Sequence, residues 1–129
     1  MNRISQLPSR LAVLATLFLL FGVVGATAPP HFDLEKSMPE ADATVQEIEA
    51  VTLWFTQEPA EGSVSVRLID ASGEPMEGFE AKAHEDDAKV FAVATPDGLA
   101  PGNYTVAWRG IGADGHVVRG NFAFTVTAP

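Results

Sequence analysis

Residues 103–127 read NYTVAWRGIGADGHVVRGNFAFTVT, two alternating apolar segments joined by a glycine-rich link. Tyr104, Val106 and Trp108 fall on one face of the first segment, and Phe122, Phe124 and Val126 on one face of the second. A period of two is the mark of a β-strand with one buried face. Asp-Gly within ADGH (113–116) is a favoured pair for a hairpin turn, so the stretch predicts two antiparallel strands. The same period recurs upstream, in Val51, Leu53 and Phe55 and again in Val64, Val66 and Leu68. Weaker runs over 79–84 and 89–95 and a short one near 32–35 bring the expectation to about seven strands. Turn formers separate them: ASGEP (71–75), HEDD (84–87), TPDG (95–98) and APG (100–102). Beyond the first quarter no segment holds a helical period. The predicted class is all-β, an immunoglobulin-like (cupredoxin-like) Greek-key β-sandwich.

The first quarter reads differently. Arg3 and Arg10 precede an apolar run from Leu11 to Val24, followed by small residues in GATA (25–28), the order of a secretory signal. The run is short of the ~20 apolar residues that a membrane span needs. Cleavage after Ala26 satisfies the preference for small residues before the cut, which divides the chain into a signal, 1–26, and one β-sandwich domain, 27–129. All 17 acidic residues lie beyond position 31, and two of the eight basic ones leave with the signal. Six basic against 17 acidic residues gives the mature domain a formal charge of −11, which argues against nucleic acid and anionic membranes as partners. No direct membrane insertion is expected after cleavage. The absence of cysteine removes disulfides, thiolate nucleophiles and thiolate metal ligands together.

What remains for metal chemistry is nitrogen, oxygen and thioether. Residues two apart in an extended segment point to one side, so Asp114 and His116 are able to offer a carboxylate oxygen and an imidazole nitrogen to one ion. The alternative for ADGH alone is a turn that ends in a histidine. LAPGNY (99–104) resembles a tyrosine corner, or is a plain Pro-Gly turn followed by a core tyrosine.

The segment 99–126 as a whole resembles the C-terminal half of the CopC family of periplasmic copper-binding proteins. Leu99, then Gly102, Tyr104, Val106, Trp108 and Arg109, then Asp114, Gly115 and His116, then Gly120, Phe122, Phe124 and Val126 match that family's pattern in order and spacing. HFDLEKSMPEADATV (31–45) is similar to its opening through His31, Leu34, Ser37, Pro39 and Val45, with Glu40 where alanine is common. The resemblance implies a cupric ion, Cu(II), held by His31, Asp114 and His116, a set suited to tetragonal copper, with zinc as the competitor. It implies no enzyme activity, a periplasmic location, a role in copper sequestration, resistance or delivery, and a CopD-type inner-membrane copper transporter as partner. The alternative is an immunoglobulin-like structural or interaction domain without metal.

Several departures bear on this. After cleavage at Ala26, His31 is fifth in the mature chain. After cleavage at Ala28 it is third, behind Pro30, which has no N–H to lose to copper. Gly112 stands where a serine is common. Met38 and Met76 are too few for a methionine-rich cuprous site and are expected in packing or surface roles. His84 is expected as a polar turn flank and the acidic run 85–87 as a solvated hairpin tip. Trp54 should cover the outer face of its strand. Arg109 is a candidate to orient Asp114 by a charge-assisted hydrogen bond.

Overall fold

The structure, a computed structural model, describes residues 31–129; the expected signal, 1–26, lies outside the described residues. Eight strands follow in order: β1 (Leu34–Met38), β2 (Thr44–Val45), β3 (Ala50–Phe55), β4 (Ser65–Ile69), β5 (Ala81–His84), β6 (Asp87–Ala94), β7 (Gly102–Ile111) and β8 (Val117–Val126). They form two four-stranded sheets, β1-β3-β6-β5 and β2-β8-β7-β4. The chain changes sheet between β3 and β4, returns for the β5–β6 hairpin, and crosses again to the β7–β8 hairpin. This is the Greek-key connectivity of an immunoglobulin-like sandwich, with β2 added in parallel to β8.

Alternation decides which side chains fill the space between the sheets. Val51, Leu53 and Phe55 of β3 and Val93 of β6 meet Val66 and Leu68 of β4, Tyr104, Val106 and Trp108 of β7, and Phe122, Phe124 and Val126 of β8, all buried. Burying each such side chain contributes ~1.5–3 kcal/mol against chain entropy. At one end the core is aromatic: Phe55 lies stacked on Phe32 at 4.9 Å and edge-on to Trp108 at 5.5 Å. The Trp108 indole covers Gly120, its partner across the β7–β8 ladder, where a Cβ would stand 2.7 Å from the ring. That approach explains the glycine ahead of the NFAFTV segment.

The corner before β7 is a tyrosine corner. Tyr104 is buried, and its hydroxyl donates to the Ala100 carbonyl at 2.6 Å. Trp54 does cover the outer face, beneath the Lys36 ammonium at 4.8 Å from its ring centroid. Met38 is exposed and Met76 packs half-buried at the edge of the core.

Strand boundaries differ from expectation at the start of the chain. The first strand begins at Leu34, because Phe32 turns into the core from the segment before it. The two-residue β2 carries too short a pattern to be read from sequence.

Removing the hydroxyl in Tyr104→Phe should cost ~1 kcal/mol, the worth of one hydrogen bond. Gly120→Ala should cost more, ~1–3 kcal/mol, because the new methyl must displace the indole. Urea denaturation of both variants checks the order; a Gly120→Ala protein as stable as the parent contradicts the packing described.

Candidate metal centre

The link between β7 and β8 is a three-residue hairpin loop. The Gly115 N–H donates to the Gly112 carbonyl at 3.0 Å, and the Gly112 N–H to the His116 carbonyl at 3.2 Å. Ala113 and Asp114 are the central residues of the turn, and Gly115 takes the left-handed conformation, φ 83°, that closes it into the next strand. Asp-Gly is therefore not a two-residue turn. Asp114 and His116 meet because the chain reverses between them, not because an extended strand alternates.

Their side chains are in contact. The Asp114 Oδ1 accepts the His116 backbone N–H at 3.1 Å, and its Oδ2 lies 2.9 Å from the His116 Nδ1. The backbone N–H, and after it the ring, hold the Asp114 carboxyl below the ordinary aspartate range. With Asp114 ionised, the contact calls for a proton on Nδ1, and Nε2 is the ring nitrogen that faces away from the carboxylate. The two side chains remain 52% and 82% exposed, so the pair adds little to stability, but it is open to an ion from solvent.

Arg109 takes no part in orienting Asp114. Among the described residues the only ion pair is Asp114 with His116, and Arg109 lies on the outer face of β7 opposite Arg119. The turn is instead held by Gln57, whose Oε1 accepts the Ala113 N–H at 3.1 Å.

His31 reaches the same end of the sandwich by a different route. Its neighbour Phe32 occupies the space over Gly110 and Gly112, where a Cβ would stand 2.7 Å from the Phe32 ring and 2.6 Å from the Phe32 Cβ. A serine at 112 would collide with Phe32, so the glycine there has a steric role. Thr56 fixes the backbone on either side: its hydroxyl donates to the His31 carbonyl at 2.7 Å and accepts the Asp33 N–H at 3.0 Å. Thr56 and Gln57 are consecutive, so one short segment after β3 ties down both the His31 end and the Asp114 turn.

The structure therefore joins Asp114 to His116 and anchors the backbone of His31 nearby. It does not gather three ligands: among the described residues no group of three or more His, Asp or Glu side chains stands ready to hold a metal ion. His84 has a turn role at the β5–β6 hairpin, its Nδ1 accepting the Asp86 N–H at 3.0 Å. Sequence reasoning missed Phe32, Thr56 and Gln57. The available signal was Gly110 and Gly112, which continue the inward face of Trp108 without side chains and so leave room for something else.

The donor set fits a first-row divalent cation. The 2.9 Å between Oδ2 and Nδ1 is the length of their hydrogen bond, and both side chains are exposed, so the carboxylate and the imidazole are open to an ion from solvent.

These features define a class: an immunoglobulin-like sandwich that presents an exposed imidazole and carboxylate on the hairpin at one end. Residues 34–127 match the family model described as CopC domain. The chain belongs to the CopC family. It is 32% identical over 113 residues to Protein YobA of Escherichia coli (strain K12), covering 87% of this chain and 91% of the relative. Of the solved structures, CopC from Methylosinus trichosporium OB3b is similar with a TM-score of 0.69 and 29% identity, over 76% of this chain and 95% of that one. PcoC, a methionine-rich copper resistance protein from Escherichia coli, gives a TM-score of 0.67 and 28% identity over 76% of this chain and all of that one.

The depressed Asp114 ionisation has a measurable sign. A carboxyl whose folded value is lowered favours the folded state above its unfolded value, and that contribution is lost as pH falls through the folded value. Carboxyl NMR should therefore show Asp114 protonating at lower pH than an ordinary aspartate. In His116→Ala the midpoint should rise, though not all the way, because the backbone N–H at 116 remains; no rise would mean that the ring does not stabilise the carboxylate.

Proposed function

We propose that the chain is a periplasmic copper(II)-binding protein that sequesters the ion or delivers it to a CopD-type inner-membrane transporter. A copper-related function follows from membership of the CopC family and from likeness to PcoC, a copper resistance protein. Binding of the cupric state through His31, Asp114 and His116 is the finer reading, and the observation that carries it is the exposed carboxylate and imidazole of Asp114 and His116 brought together on one turn beside the anchored His31 backbone.

The parts of the reading share one physical logic. Imidazole and carboxylate ligands favour the divalent ion over the cuprous one, and copper exceeds zinc in affinity for such a set. Exposure of the donors suits exchange with another protein, since the ion leaves without unfolding its carrier. Neither step needs bond-making chemistry in a substrate, so the role is binding and transfer rather than catalysis. His31, its backbone anchored beside the turn by Thr56, is the third ligand in this reading. After cleavage at Ala26 the contribution of His31 is imidazole nitrogen; processing one bond before His31 would add the terminal amine.

A metal-free interaction domain is the competing reading. It is favoured by the fact that Asp114 and His116 already satisfy each other within the turn.

Titration of the mature protein with Cu(II), followed by electron paramagnetic resonance, separates the two. The expected result is one equivalent bound with a tetragonal nitrogen and oxygen signal. His116→Ala should weaken binding beyond the ~10–100-fold typical of losing an outer partner. A folded protein that binds no copper specifically, or a His116→Ala variant with the parent signal, would overturn the proposal.

A further inference from the structure

The outer face of the β2-β8-β7-β4 sheet has a charge distribution unlike the rest of the chain. Residues pointing outward on β4, β7 and β8 alternate with the buried ones: Ser65, Arg67 and Ile69; Asn103, Thr105, Ala107, Arg109 and Ile111; Val117, Arg119, Asn121, Ala123 and Thr125. None is acidic, although the chain carries 17 Asp and Glu. All three arginines of the described residues, Arg67, Arg109 and Arg119, are on this face and exposed. Together with Ser65 and Asn121 they line a shallow groove of about 610 Å³.

This arrangement is unfavourable on its own. Arg109 and Arg119 stand directly opposite one another in the β7–β8 register, and like charges so placed repel. No hydrogen bond or ion pair among the described residues holds any of the three guanidiniums. A chain with so many carboxylates has the means to pair them internally and does not. Guanidinium groups pair with carboxylates through two parallel hydrogen bonds, and Ser65 and Asn121 add further donors along the same groove.

We propose that this arginine face is the docking surface for an acidic, Asp/Glu-rich segment of the protein that exchanges copper with this chain. The inference rests on the copper reading and specifies the partner's surface. Continuity with the candidate site supports it: from Arg109 and Arg119 the ladder runs through Gly110 and Val118, then Ile111 and Val117, to the turn that carries Asp114 and His116. Two steps along a strand, ~7 Å, separate the arginines from the last pair before the turn, so a segment of a few residues seated on the arginines reaches the turn. A bilayer is a poorer fit, because lipid recognition takes clusters of about 4–8 basic residues and the acidic remainder of the domain is repelled by anionic lipid.

The test uses the mature protein and a fluorescent oligoglutamate peptide at low ionic strength, read by anisotropy, with a Cu(II) titration run on each variant. Saturable binding is expected, weakening with salt, and Arg109→Gln with Arg119→Gln should reduce it at least ~10-fold while copper binding stays as in the parent. Lys36→Gln with Lys82→Gln, on the other sheet, should leave peptide binding within ~2-fold. No binding of the peptide, or equal binding by the arginine variant, overturns the proposal. So does arginine-dependent binding to phosphatidylglycerol vesicles with none to the peptide, or a dimer in sedimentation that the same substitutions dissociate. Failure of the copper reading shows separately, as arginine-dependent peptide binding by a parent protein that takes up no copper.

Discussion

The end of the sandwich that carries the candidate site depends on one close approach: Phe32 lying against backbone that has no side chains, at Gly110 and Gly112. β7 delivers Trp108 into the core and then, for two more inward positions, nothing but hydrogen. Phe32 fills that space and stacks on Phe55, so the segment that begins with His31 is fastened by apolar packing to the strand that leads into the Asp114 turn. Packing at interior density tolerates little displacement, and two distant parts of the sequence are thereby held at one place. Thr56 and Gln57 add hydrogen bonds to each of them from a single short segment.

The anchored backbone and the exposed side chains divide the work of a carrier. Rigid strands and a closed turn fix where Asp114 and His116 stand, so little ordering is required when an ion arrives. The side chains themselves face solvent, where their mutual attraction is weak and an incoming cation competes easily with a proton. His31 differs in that only its main chain is pinned. The arginine face next to the turn gives the same end of the molecule a second property, an affinity for carboxylates in a chain that is otherwise strongly acidic.

Much of this was legible in the residues. Period-two alternation identified the inner faces of β3, β4, β7 and β8, because a half-buried strand writes its burial directly into the sequence. LAPGNY offered the tyrosine corner as one of two readings, which the Tyr104 hydrogen bond decides, and the ordered match over 99–126 together with the opening at His31 marked the family. What the pattern did not carry was anything made by contacts distant in sequence. Phe32 entering the core ahead of its strand, the Thr56 and Gln57 clip, and the pairing of Arg109 with Arg119 all depend on register between elements, which no local window contains. The expected bond from Arg109 to Asp114 failed for the same reason: the two are close in sequence, but an outward side chain on β7 stands away from the face of the sheet and not along the strand toward the turn.

The central claim, that the His31 segment and the β7–β8 turn together form one copper site, is tested most directly by copper binding in Gly112→Ala. The added methyl meets the Phe32 Cβ at 2.6 Å and must push the His31 segment away, leaving Asp114 and His116 on their own turn. The account predicts that circular dichroism shows the sandwich intact, that Cu(II) affinity falls at least ~10-fold, and that the resonance signal changes from two imidazole nitrogens to one. Unchanged affinity with two nitrogens still coordinated would contradict it.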